Sequence, residues 1–233
     1  MKLNVADTPA AAAMACAEWL CGLAEQTPST VSVALAGGST PTAMYRKLAA
    51  PPLAERMPWS RTRWYWGDER FVPRSDARSN AGVAWNAFLS AIPVRADQIH
   101  PFPTDAESPE AAADAYAATL RGTLPVEAGG FPRLDVVLLG LGDDGHTASL
   151  FPGHPALRVT DRPVAAVHGA AAEPRLTLTF PMLAAARHIA FLVTGPGKRA
   201  ALAALRAGEQ LPAQQLADLP QTLWFVDADA AAG

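Results

Sequence analysis

An α/β fold, with a mostly parallel central sheet flanked by helices on both faces, is what this sequence predicts, and three observations carry that reading. Short strand-like runs alternate with helix-like runs along most of the chain, the β-α-β-α order that builds parallel sheets. One run, LDVVLLG (Leu134–Gly140), is nearly all apolar, as expected of a strand buried on both faces. Several runs close on glycine and lead into a helix pattern, so their carboxyl ends carry tight strand–loop–helix turns.

The elements follow in order. The N-terminal stretch MKLNVADTPAAAAMACAEWLCGLAEQ reads as an amphipathic helix. Asp7 and Glu18 interrupt its alanines, and it lacks the basic start and continuous apolar run of a signal peptide. VSVALAG (Val31–Gly37) is a β-branched strand, and Pro41–Ala50 is the next helix. RTRWYWG (Arg61–Gly67) is an aromatic-rich strand, with helices expected at Asn80–Ala91 and Ser108–Arg121. After LDVVLLG come PVAAVHG, RLTLTF, HIAFLVTG and LWFVDAD as further strands, with a helix at Pro196–Ala207. RLTLTF alternates, which suits an antiparallel or edge strand. Ala228–Gly233 reads as a frayed end.

With 233 residues, half of them hydrophobic, the chain can bury a large core. It shows no repeat and no linker, so residues 1–233 read as one domain. A charged fraction of 18% and a net charge of −3 argue against a disordered or nucleic-acid-binding chain. Cys16 and Cys21 fall on different faces of a helix and read as buried reduced thiols. No run of about 18 apolar residues offers a membrane span. The cytosol and a monomer are the expectations.

Gly140, Gly142 and Gly145 in LGLGDDGHTASLFPG spell the dinucleotide spacing G-x-G-x-x-G after an apolar strand. The context argues against that use. Pro152, Gly153 and Pro155 stop any long helix, and Asp161 precedes the next strand instead of ending it. Asp143 and Asp144 would repel a pyrophosphate. What remains is a tight strand-end loop carrying Asp143, Asp144 and His146, where α/β sheets bind ligands. His146 suits a general base, and a nearby Asp can orient its ring.

Three further loops carry candidate ligands. In AGGSTP, Gly37 and Gly38 free the backbone, Ser39 or Thr40 can cap the following helix, and Pro41 fits its first turn. Its exposed N–H groups and hydroxyls make an anion cradle without a Walker pattern, which points to a sugar phosphate. In WGDERFVP, Arg70 can clamp phosphate or stabilise an oxyanion. There Asp68 and Glu69 either hold Arg70 in place or form an ordinary surface salt bridge. In VTGPGK, Lys198 enters a helix after a glycine turn and is one of only three lysines against sixteen arginines, a plausible phosphate ligand. Arg175 carries less, because it also suits the start of a strand. His100, His154, His168 and His188 lack metal-ligand spacing and read as structural, so no metal is expected.

Taken together, AGGSTP, WGDERFVP with Ser79-Asn80, LLGLGDDGHTASLFPGH, and PRLTLTF with HIAFLVTGPGK resemble the 6-phosphogluconolactonase family. The resemblance runs from about residue 30 to 202 and is most specific at DGHTASLFPG. It implies a sheet related to those of glucosamine-6-phosphate deaminase and ribose-5-phosphate isomerase. It implies hydrolysis of 6-phospho-D-glucono-1,5-lactone to 6-phosphogluconate in the oxidative pentose phosphate pathway, without a cofactor. His146 would activate water with Asp144 beside it, and Arg70 would bind substrate and stabilise negative charge. Gly37 to Thr40, Lys198 and Arg175 would hold the phosphate, with Gly142 and Gly145 shaping the loop. A lactone is already an activated ester, so water, a base and oxyanion donors suffice. No G-x-S-x-G elbow points to a serine hydrolase. The nearest rival is an isomerase or deaminase on the same scaffold, with Asp68 as a carboxylate base. Such deaminases continue DGH with an apolar-Asn-Glu-Pro stretch, where this chain has Thr147 to Pro152.

Overall fold

The computed structural model describes residues 1–126 and 130–232. Among these, nine strands form: β1 (Leu3–Ala6), β2 (Val31–Leu35), β3 (Thr62–Trp66), β4 (Asp68–Arg70), β5 (Val136–Leu139), β6 (Val164–Val167), β7 (Arg175–Leu178), β8 (His188–Val193) and β9 (Thr222–Asp227). The helices are α1 (Pro9–Gln26), α2 (Ser39–Leu48), α3 (Leu53–Arg56), α4 (Asn80–Ala87), α5 (Pro109–Thr123), α6 (Phe180–Ala184), α7 (Arg199–Arg206), α8 (Gln214–Ala217) and α9 (Ala228–Ala231). Local chemistry starts the two longest. Thr8 and Ser108 accept hydrogen bonds from the amides of Ala11 and Ala111, and a proline opens each first turn.

Six strands pair in parallel in the order β1-β9-β8-β5-β2-β3. Every residue of β2 and β5 is buried, so helices and loops cover both faces at the centre of this sheet. Trp64, Trp66 and Trp224 are fully buried, and Trp224 stacks on Phe191 with centroids 3.9 Å apart. The remaining strands make a small antiparallel sheet, β4-β7-β6, in which Arg70 lies opposite Arg175. Gly67 joins the two sheets: its N–H donates to Leu35 O (2.9 Å) and its O accepts from Leu178 N (2.8 Å).

Two tyrosines fix the carboxyl ends of β2 and β3. The Tyr45 hydroxyl accepts from Ala36 N (2.9 Å) and donates to Ala36 O (2.8 Å), just beyond β2. The Tyr116 hydroxyl does the same for Trp66 at the end of β3, at 2.9 and 3.2 Å. Each buried hydroxyl spends both its donor and its acceptor on backbone, which holds the loops that follow.

The mostly parallel sheet and the antiparallel RLTLTF strand match the sequence reading. Two strands were not anticipated. β1 is a four-residue, half-exposed edge strand that leads within two residues into α1, and β4 is three charged residues long, so neither stands out as a buried apolar run. The helix expected at residues 80–91 ends at Ala87, with a short 3₁₀ turn at Leu89–Ala91. The chain end is not frayed throughout: Asp227 caps α9 through Ala230 N (2.9 Å), and Ala230 is buried. Gly233 lies outside the described residues. Cys16 and Cys21 are buried free thiols, and burial pushes the Cys16 thiol far up. Among the described residues, no helix is long and apolar enough to cross a membrane.

Candidate active site

The three glycines after β5 shape a loop that carries an Asp–His pair. Gly142 N donates to His146 O (2.8 Å) and Gly145 N to Gly142 O (3.0 Å), closing a tight turn. Gly145 has φ +80°, which favours glycine. Gly142 has another reason: a Cβ there would overlap the His146 ring and Asp144 Oδ1. The vacated space lets Asp144 Oδ1 sit 2.6 Å from His146 Nδ1 while also accepting from His146 N at 3.1 Å. Burial pushes the Asp144 carboxyl up, but these hydrogen bonds outweigh it and hold the group below its ordinary value. An ionised Asp144 at Nδ1 selects the tautomer whose Nε2 is free to accept a proton. The other face of the ring is supported by Phe151, 4.5 Å between centroids.

His146 opens on a cleft with ≈ 650 Å³ of atom-free space at the carboxyl ends of β2, β3 and β5. Arg70, Arg175 and Lys198 line the same cleft. The two arginines come from adjacent strands in direct register. Burial, and then the Arg70 charge, push the Arg175 guanidinium down against the opposite pull of the Asp68, Glu173 and Glu69 carboxylates. Arg70 Nη1 donates to Arg78 O at 2.6 Å. The Nε atoms of Arg70 and Arg175 are buried without a hydrogen-bond partner among the described residues. Arg175 also lies 5.9 Å from the Phe151 ring, so one aromatic touches both the histidine and the arginine. Two opposed guanidiniums with free donors could hold an anion.

Asp68 and Glu69 correct the sequence reading in part. Among the described residues neither forms a surface salt bridge, both are buried in β4, and Glu69 holds Arg70 through its backbone N–H and not its guanidinium. Asp68 lines the cleft, with Oδ2 accepting from Ser149 Oγ (2.7 Å) and Oδ1 from Asn80 Nδ2 (3.2 Å). Glu69 accepts from the backbone N–H of Arg70, Asn80 and Ala81 at 2.7–2.8 Å, and from Ser79 Oγ at 3.2 Å. Burial pushes its carboxyl up against the pull of those amides. It therefore anchors the start of α4, whose Asn80 packs where a Cβ on Gly37 would otherwise intrude.

The remaining candidates divide. Gly37 and Gly38 line the cleft, and Gly38 takes φ +103° at the start of α2. Ser39 and Thr40 are its first helical residues, not its cap, and they open on a neighbouring groove between α1 and α2. Thr40 Oγ1 lies 3.1 Å from Thr194 Oγ1. Lys198 Nζ is bound to Asp143 Oδ1 at 2.6 Å. Of the other histidines none lines the cleft; His100 stacks on Tyr65 and His168 pairs with Glu110. Sequence reasoning gave no role to Asn80, Ser149 or Phe151. The last two lie in the ASLFP run that begins two residues after the histidine, and only the structure shows Ser149 Oγ donating to Asp68 and Phe151 packing on the His146 ring.

Residues 7–224 match the family described as Glucosamine-6-phosphate isomerases/6-phosphogluconolactonase. The chain belongs to this family. A relative from Synechocystis sp. named 6-phosphogluconolactonase is 42% identical over 203 residues, covering 85% of this chain and 82% of its own. Another of that name, from Streptomyces coelicolor, is 38% identical over 221 residues, 89% of this chain and 84% of the relative. The solved structure of 6-phosphogluconolactonase from Trypanosoma brucei superimposes with a TM-score of 0.86 at 31% identity, covering 99% of this chain and 97% of that one. A monomeric glucosamine-6-phosphate deaminase shares the fold with a TM-score of 0.84 at 20% identity. A 6-phosphogluconolactonase and a glucosamine-6-phosphate deaminase thus share this fold, and the fold alone does not separate the two activities.

Proposed function

We propose that this protein hydrolyses 6-phospho-D-glucono-1,5-lactone to 6-phospho-D-gluconate, the lactone step of the oxidative pentose phosphate pathway. The observation that carries the proposal is the His146–Asp144 pair sharing one cleft with the opposed Arg70 and Arg175. His146 Nε2 takes a proton from water, which attacks the lactone carbonyl. Asp144 keeps the ring in the accepting tautomer and supports its protonated form. A guanidinium stabilises the tetrahedral oxyanion, and the same imidazolium returns its proton to the ring oxygen as the C–O bond breaks. Phosphate is held by Lys198, the Gly37–Gly38 turn and the arginine not used by the oxyanion. The relatives named 6-phosphogluconolactonase support this substrate. Under this reading the protein acts as a cytoplasmic monomer without a cofactor.

The arrangement around Asp68 favours lactone hydrolysis over sugar isomerisation. Both of its oxygens already accept hydrogen bonds, from Ser149 and Asn80, which suits a fixed acceptor for a substrate hydroxyl better than a base that must take and return a proton. The test is direct. The lactone is generated in place from glucose 6-phosphate, NADP and its dehydrogenase, and its decay is followed with and without the purified protein. Accelerated decay is expected, with no turnover of glucosamine 6-phosphate. Decay at the spontaneous rate, or turnover of the amino sugar, would reverse the assignment.

A further inference from the structure

The two adjacent aspartates of the β5 loop serve different partners. Asp144 turns toward His146, while Asp143 reaches the other way to Lys198, with Oδ1 2.6 Å from Nζ. Lys198 lines the cleft, whereas Asp143 does not. The Asp143 side chain is 75% exposed and the Lys198 side chain 30%. Among the described residues Asp143 has no other hydrogen bond, so nothing but the ammonium holds it in place. The ammonium on which the proposed function relies for phosphate is thus already neutralised by a carboxylate of the protein itself.

We infer that Asp143 is an internal competitor for Lys198, which a phosphorylated ligand must displace and which retakes the ammonium when the product leaves. This rests on the assignment of the cleft to a sugar phosphate. Three points support competition over mere positioning. Phosphate and carboxylate would use the same donors of one ammonium. Asp143 is exposed enough to swing into water at little cost. Hydrolysis also adds a carboxylate to the ligand, so the product is the more anionic species and the one whose release an internal anion assists. The exposed setting sets the scale: such a pair is weak, so removing it should tighten binding only about twofold to fivefold.

The experiment compares wild type, Asp143→Asn, Lys198→Ala and the double variant. It reads KM and kcat for the lactone, and separately the Kd of 6-phosphogluconate and of inorganic phosphate by calorimetry. Competition predicts that Asp143→Asn lowers both KM and Kd, without a gain in kcat. It also predicts that the change disappears in the Lys198→Ala background. A general loss of negative charge would persist there, which would overturn the inference. So would an unchanged or raised Kd in Asp143→Asn, the result expected if the carboxylate only aims the lysine. Lactone turnover with an unchanged Kd removes this inference alone. Tighter phosphate binding without lactone turnover removes the lactonase assignment and leaves the competition standing. Absence of both phosphate binding and lactone turnover in every variant overturns both.

Discussion

At His146 the proposed chemistry depends on the direction of one ring, and three neighbours set it: Asp144 at Nδ1, Phe151 against its face, and the absent side chain of Gly142. The last is the least expected contributor. Gly142→Ala adds a methyl group where the imidazole and Asp144 Oδ1 now lie, so the ring must turn. Because Gly142 is not among the positive-φ glycines, the substitution strains no backbone torsion. The expected result is a fall in kcat of about 10- to 100-fold, the range for a lost orienting partner, with the folded state retained by circular dichroism. An unchanged kcat would mean the ring position is not critical. The glycine spacing was legible in the sequence, and so was the failure of the dinucleotide context. Which glycine makes room and which turns the chain was not, because that depends on a side chain four residues on.

Among the elements, β4 shows how a charged triplet can be internal. Asp-Glu-Arg reads as surface because these residues are almost never fully buried without partners. Here the partners are supplied by α4, whose first amides converge on Glu69. The carboxylate also sits at the positive end of that helix. Glu69→Gln replaces one acceptor oxygen with a donor facing N–H groups. It should cost about 1–3 kcal/mol, the penalty for a buried polar group left unsatisfied. Thermal or urea unfolding checks this, and a Tm within 1 °C of wild type, roughly the scatter of such a measurement against the ~2–4 °C expected per kcal/mol, would contradict it. The parallel strands were legible because they are apolar and buried at nearly every position. β1 was not, since its pairing with β9 is what makes it a strand. The capping role given to Ser39 or Thr40 also failed, because Gly38 takes that place and its left-handed backbone cannot be read from a G-G-S-T string alone.

Seen whole, the molecule gathers loops from β2, β3, β5 and β8 at one end of the sheet and brings Arg175 in from the small antiparallel sheet. The pair β5–β2 is where the strand order reverses, the place at which open α/β sheets bind ligands. Motif order alone indicated that end of the fold. It could not show that Arg175 faces Arg70, because that register belongs to a sheet whose other strand was read as a loop. A cleft carrying these cations should be stabilised by its anion. At 6-phosphogluconate near 100 times Kd, folding gains about 2.7 kcal/mol, which for a chain of this size is a rise in Tm of roughly 5–10 °C. Gluconate without the phosphate should give a much smaller rise; equal rises would argue against a phosphate site. The central claim, that His146 is the base for lactone hydrolysis, is tested most directly by kcat for the lactone in His146→Ala, measured beside the Kd of 6-phosphogluconate. The expected result is a fall in kcat of about 10²–10⁴ while the Kd stays within a few-fold. Turnover near the wild-type rate by a folded variant would contradict it.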